Sequence, residues 1–205
     1  MAPFTALEIF QAMFAINDNK TPGPDGCTSA FYKSHWREVG SLVVSTVQYF
    51  FAHGYMLKGW NCTFLVLLPK VDSLESISQF FLIGLCNVLY KCISKYITGR
   101  LQLLLPSLVS GFHNAFILGR LLSDNRLLAH EVLPYMNASM ARKRFYLALK
   151  LDMNKAYDWI RLDFILRALQ AFGFPFYWIH IIHQCVSTVS YQVLVNGSPS
   201  PTFQP

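Results

Sequence analysis

Apolar positions along this chain recur mostly at three- and four-residue spacing and give way to short unbroken runs in three places. Ile9, Phe10, Met13 and Phe14 share one helical face. Thr5-Ala6-Leu7-Glu8 ahead of them reads as a capping box, so a first helix is expected to run to about Ile16. Lys20-Thr21-Pro22-Gly23-Pro24-Asp25-Gly26 then breaks regular structure. A long helix follows, with Phe31, Trp36, Val39, Val43, Val47 and Phe50 inward and Gly54 as its stop. No charge occurs between Glu38 and Lys58, but Ser41, Ser45, Thr46, Gln48 and His53 interrupt the apolar residues there, which favours a buried helix over a membrane span.

Thr63 to Lys70 is the first unbroken run and predicts a short buried strand ending in a lysine. Residues 71–84 fit neither period. Leu89, Ile93, Ile97, Leu101 and Leu104 predict a helix from Asn87 to about Leu105; residues 107–125 read as loop, and Asn125 to Tyr135 as a short helix. Phe145 to Asp152 is the second run, a strand that ends in a carboxylate. Ile160, Phe164, Ala168 and Phe172 form the stripe of the helix after it, with Gly173 as its cap. Pro175 separates a further helix, about Phe176 to Ser187. Ser190 to Asn196 is the third strand, and Asn196-Gly197 opens a turn. A last strand with no evident neighbour, followed by turn residues up to Pro205, reads as a truncation.

Composition narrows the picture. Of 205 residues, 53% are hydrophobic and only 14% charged, which implies a substantial core and apolar surface that further protein covers. The net charge of +6 admits an anionic partner. Arg142-Lys143-Arg144 is the one tight basic cluster, and a solvated loop explains it as well as a phosphate contact does. Five cysteines, an odd number without a CxxC pair, argue against a disulfide framework or a thiolate zinc site. His180, His183 and Cys185 offer three potential ligands within one helix but no fourth nearby, so histidines on an exposed helix face are the simpler reading. Asn61-Cys62-Thr63 and Asn137-Ala138-Ser139 match the glycosylation sequon, which matters only in a secreted chain. Met1-Ala2-Pro3-Phe4 lacks a basic leader, and the chain is expected to be intracellular, in cytoplasm or nucleus.

Asp152 is the candidate for metal chemistry. A carboxylate at the carboxyl end of a strand can hold a hard cation such as magnesium together with a substrate phosphate. An ordinary strand-end acid is the competing reading, and Asp158, six residues on, reads as either a second acid or a helix cap.

Five ordered blocks then carry a resemblance. They are Lys20 to Gly26; Leu68-Pro69-Lys70-Val71; Leu85-Cys86-Asn87-Val88-Leu89-Tyr90-Lys91 with Ile93-Ser94-Lys95; Ala115-Phe116-Ile117-Leu118-Gly119-Arg120 with Ser123-Asp124-Asn125; and Leu149 to Asp158. Together they resemble the reverse transcriptase (RNA-directed DNA polymerase) of LINE-type, non-LTR retrotransposons of the kind abundant in plant genomes. The resemblance implies an α+β fold with an N-terminal helical region (1–60), fingers (61–143) and the first part of a palm (144–205), the palm opening β-α-α-β. It implies that Asp152 ligates catalytic Mg2+ and that Met153 lends its backbone carbonyl to the metal. Tyr157 would exclude a 2′-hydroxyl, Lys70 would face the triphosphate and Arg120 would touch nucleic-acid backbone. The implied partners are an RNA template, a DNA primer and deoxynucleoside triphosphates, with no membrane and with the remainder of the polymerase as a further partner.

The chain departs from the family pattern where Phe81 and Leu82 stand in place of an arginine and a proline, and where His113 and Trp159 replace a glutamine and an arginine. No two adjacent acids follow Asp158, so the second catalytic hairpin is absent from these residues, as is a thumb. The expectation is a reverse transcriptase fragment inactive by itself. A non-catalytic nucleic-acid-binding remnant and a decayed pseudogene product are the alternatives.

Overall fold

The computed structural model describes residues 4–73, 75–138, 147–153 and 156–204. Two compact units result, one from residues 1–98 and 162–205, the other from 99–161.

The first unit opens with α1 (Ala6–Phe14), whose capping box forms as read: the Thr5 side chain accepts from the Glu8 backbone N–H while the Glu8 carboxylate accepts from Thr5. The long helix expected next is two helices, α2 (Ser29–Ser34) and α3 (Trp36–His53). His35 leaves helical geometry between them at φ −105°, ψ 26° and resets the phase of the apolar stripe. Val43, Val47 and Phe50 are therefore buried as expected, whereas Phe31 on the shorter helix is exposed. Gly54 ends α3 in the left-handed region at φ 65°. Neither α3 nor any other helix among the described residues is long and apolar enough to cross a membrane.

β1 (Cys62–Pro69) is the strand expected before Lys70. The stretch that fitted neither period is a 3-10 turn (Ile77–Gln79) leading into β2 (Phe80–Cys86), which pairs antiparallel with β1, Leu68 opposite Phe81. α4 (Val88–Leu108) follows. After α5 (Leu122–Ala138) and the single turn α6 (Ala156–Trp159), the first unit resumes with α7 (Leu162–Ala171) and α8 (Phe176–Ser187). α7 turns its other stripe inward. Leu162, Ile165, Leu166 and Leu169 are half-buried, while Phe164 and Phe172 are exposed. The helix starts at Leu162, so Ile160 lies outside it and the stripe counted from Ile160 was out of phase.

β3 (Ser190–Val195) lies parallel to β1, Thr63 opposite Tyr191, and turns through Asn196 and Gly197, both at positive φ, into β4 (Ser198–Pro199). The sheet order is β2-β1-β3-β4. The strand Ser190–Val195, left without an evident neighbour in the sequence, thus pairs with β1. The core is helical: Ile9 and Met13 of α1, Val47, Phe50 and Phe51 of α3, Val88, Cys92 and Ile93 of α4 and Ile181 of α8 are all at most 1% exposed.

The run that ended in Asp152 differs from expectation. Residues 147–153 have no regular structure, and Leu147, Leu149 and Leu151 are exposed. A strand needs a neighbour to satisfy its backbone, and β3, the strand that a β-α-α-β palm would set beside this run, is paired with β1 and β4 instead. Phe145 and Tyr146, and the cluster Arg142-Lys143-Arg144, lie outside the described residues.

Candidate functional site

Lys70 stands one residue past β1, where the hairpin with β2 begins. Its backbone N–H donates to the Gln79 carbonyl at 2.8 Å, which fixes the start of the turn. The ammonium is exposed but engaged: Nζ donates to the Ser78 carbonyl at 3.0 Å and lies over the Phe81 ring, 4.7 Å from its centroid. An ammonium over a phenyl face is held by the ring quadrupole, weakly where water competes.

Around the turn at residues 20–27, two of the sequence blocks, Lys20–Gly26 and Leu85–Lys95, meet in the first unit. Gly23 is buried against α4, with the Asn87 backbone N 2.4 Å from where a Cβ would sit. Asn87 accepts from the Asp25 N–H at 3.2 Å through Oδ1 and donates to the Gly59 carbonyl at 2.8 Å through Nδ2. Lys91 donates to the Thr21 carbonyl at 2.7 Å. These residues dock a polar turn against the opening of α4.

At the opposite end of β1, Asn61 is fully buried and donates through Nδ2 to the Cys185 carbonyl and to Thr188 Oγ1, each at 3.0 Å. Its backbone carbonyl accepts from Ser190. Asn61 therefore joins the start of β1 to the end of α8 and the start of β3, and a buried side chain committed in this way is no glycan acceptor.

The three-ligand reading of α8 fails on geometry. His180 Nε2 is 2.9 Å from the Gly54 carbonyl, His183 pairs with Ser187, and Cys185 is buried. Burial pushes the thiols of Cys92 and Cys185 up to about 12. Unfolding returns each thiol to its ordinary lower value, so the folded chain holds these protons more tightly. The stability from this source is complete below the unfolded pKa and is lost as pH rises toward about 12. Iodoacetamide at about pH 8 is expected to leave Cys92 and Cys185 unmodified in the native chain and to label both in urea, as peptide mass spectrometry would show.

In the second unit, Arg120 is a fastener. Nη1 donates to the carbonyls of Ser110 (2.6 Å) and His113 (2.8 Å), and Nη2 to those of Pro106 (3.2 Å) and Val109 (3.5 Å). The guanidinium thus collects carbonyls at the end of α4 and in the loop behind it, groups that have no partner within the helix itself. Asn125 supports the same loop by donating to the Phe112 carbonyl at 3.3 Å, and Asn114 donates to Asn125 at 3.0 Å. The family resemblance implied that Arg120 touches nucleic-acid backbone; the run of carbonyls that it binds was invisible without the fold.

Asp152 and Met153 are exposed on the irregular segment 147–153. Tyr157 belongs to α6, and its side chain lies outside the described residues. Lys70 belongs to the first unit, and Arg120, Asp152 and Met153 to the second. Among the described residues no group of three or more His, Cys, Asp or Glu side chains could hold a metal ion. Asp152 alone does not fit a two-metal centre, which needs several carboxylates to hold both ions about 4 Å apart.

Comparison with known proteins gives the class. A family model for the reverse transcriptase (RNA-dependent DNA polymerase) matches residues 68–204, and the chain belongs to that family. It is also similar to the transposon TX1 uncharacterized 149 kDa protein of Xenopus laevis, 26% identical over 196 residues, which are 96% of this chain and 15% of that protein. The chain therefore spans less than a sixth of the relative's length.

Proposed function

We propose that this chain is the fingers (61–143) and opening palm (144–205) of a reverse transcriptase from a LINE-type retrotransposon, of the kind found in plants, preceded by a helical region (1–60). The observation that carries the reading is the family match over residues 68–204, which takes in both Lys70 and the Leu149–Asp158 block. In this reading Lys70 meets the triphosphate of the incoming nucleotide as a point charge. Asp152 and the Met153 carbonyl belong to the Mg2+ site, and Tyr157 screens the sugar. Arg120 contacts nucleic-acid backbone, and the carbonyls that it gathers fix the loop around it. RNA template, DNA primer and deoxynucleoside triphosphates are the partners, inside the cell.

The 205 residues by themselves are proposed to be inactive, because Asp152 is a single exposed carboxylate and the only acids after it are Asp158 and Asp163. Magnesium binding is correspondingly weak, since one carboxylate and a carbonyl leave most of the coordination to water and phosphate. The exposure of Asp152 on an irregular segment also favours a second reading, a non-catalytic remnant that binds nucleic acid. Primer extension by the purified chain on a homopolymer RNA template with magnesium tests this inactivity. The expected result is no template-dependent product above an Asp152→Ala control, and product above that control would refute it. Under the second reading, RNA binding persists without incorporation and weakens steeply with salt.

A further inference from the structure

The ammonium expected to meet phosphate is already occupied. Its two partners, the Ser78 carbonyl and the Phe81 ring, come from the turn before β2 and from β2 itself. The Lys70–Gln79 backbone bond and the Leu68–Phe81 pairing hold both partners in place. Phe81 is 59% exposed, so the ring is not there to fill a core. A neutral carbonyl and a phenyl face bind an ammonium more weakly than a phosphate oxygen does. They therefore retain it in the absence of ligand and yield it to a polyanion.

We propose that Phe81 and the Ser78 carbonyl form a resting berth for the Lys70 ammonium, from which the triphosphate of a nucleotide withdraws it, so that Phe81 sets how tightly this strand end binds phosphate. The inference rests on the reading of Lys70 as the triphosphate contact and adds a residue that works against it. Phe81 touches no ligand in this scheme; it acts through Lys70, as a positioning residue. Because the berth competes with the ligand, its removal strengthens binding, the opposite of what loss of a ligand contact or of local structure would do.

Calorimetric titration of the 205-residue chain with inorganic tripolyphosphate, dATP and a single-stranded oligonucleotide at fixed salt is the test. Phe81→Leu is expected to tighten tripolyphosphate and dATP about two- to fivefold, the worth of an exposed cation–π contact. Phe81→Tyr, which keeps the ring, should bind like the parent. Lys70→Met should weaken both ligands about tenfold, as expected for a lost charge-assisted contact. In the Lys70→Met background Phe81→Leu should have no effect. Phe81→Ile serves as a second ringless variant should Phe81→Leu not fold. Unchanged or weaker binding by the ringless variants, with Lys70→Met still weakened, overturns the berth alone. Lys70→Met binding like the parent overturns both the berth and the phosphate role of Lys70. Tightening seen only with the oligonucleotide overturns the triphosphate as the ligand.

Discussion

Gly23→Ala is expected to undock the turn at residues 20–27 and to lower stability by about 3 kcal/mol or more, at the upper end of the cost of overfilling a packed site. A Cβ on Gly23 would lie 2.3 Å from Asn87 Oδ1, 2.4 Å from the Asn87 backbone N and 2.5 Å from the Cys86 carbonyl carbon. Two of the three atoms are backbone at the junction of β2 and α4, so they cannot swing aside. Relief requires the turn to lift, which breaks the Asp25–Asn87 and Thr21–Lys91 bonds together. Gly26→Ala is the control. Gly26 has φ 69° and, among the described residues, nothing within 4 Å of its Cβ position, so only backbone strain of about 1–2 kcal/mol applies. Urea unfolding of the two variants should show a clearly larger loss for Gly23→Ala; equal midpoints would mean that the turn does not dock as described.

Asn61→Asp carries the second large effect. The exchange keeps shape and replaces an N–H donor by an anionic oxygen, fully buried and facing the Cys185 carbonyl. Thr188 offers little help, since its hydroxyl already donates to the Gln184 carbonyl at 2.7 Å. An uncompensated buried charge of this kind costs about 3–5 kcal/mol at neutral pH. The sign with pH is fixed by burial. The folded-state pKa of the new carboxyl is raised, so the variant is most stable below the unfolded pKa of about 4 and loses stability as pH rises through the folded one. Thermal melts from about pH 4 to 8 should therefore diverge from the parent with increasing pH. Parallel curves would show that the site takes up water and is not dry. The Oδ1 of Asn61 is likewise buried and has no hydrogen-bond partner among the described residues.

Local chemistry made the helices legible. Thr5 and Glu8 announced α1, and Gly54 announced the end of α3, because caps are written in the few residues that form them. β2 was not legible. Phe80 to Cys86 is an edge strand with one neighbour, and its pairing with β1 decides its conformation more than its own alternation does. The segment at Leu147–Asp152 shows the converse, since its apolar run wrote a strand that no described neighbour completes. The site followed the same rule. Lys70 could be picked out as a strand-end lysine, but its partners lay in the stretch that fitted no period. Gly23 and Asn87 belonged to separate blocks of a family pattern, and only the fold shows that one packs on the other.

The parallel pairing of Cys62–Val66 with Ser190–Leu194 has a consequence for synthesis. During translation β1 leaves the ribosome more than a hundred residues before its central partner exists, with only β2 to shield it. Contacts so distant along the chain are slow to close because the intervening loop must be ordered first. Until Ser190 and its neighbours emerge, the nascent chain presents an apolar strand with an open hydrogen-bonding edge, which is the surface that holdase chaperones and aggregates both recognise.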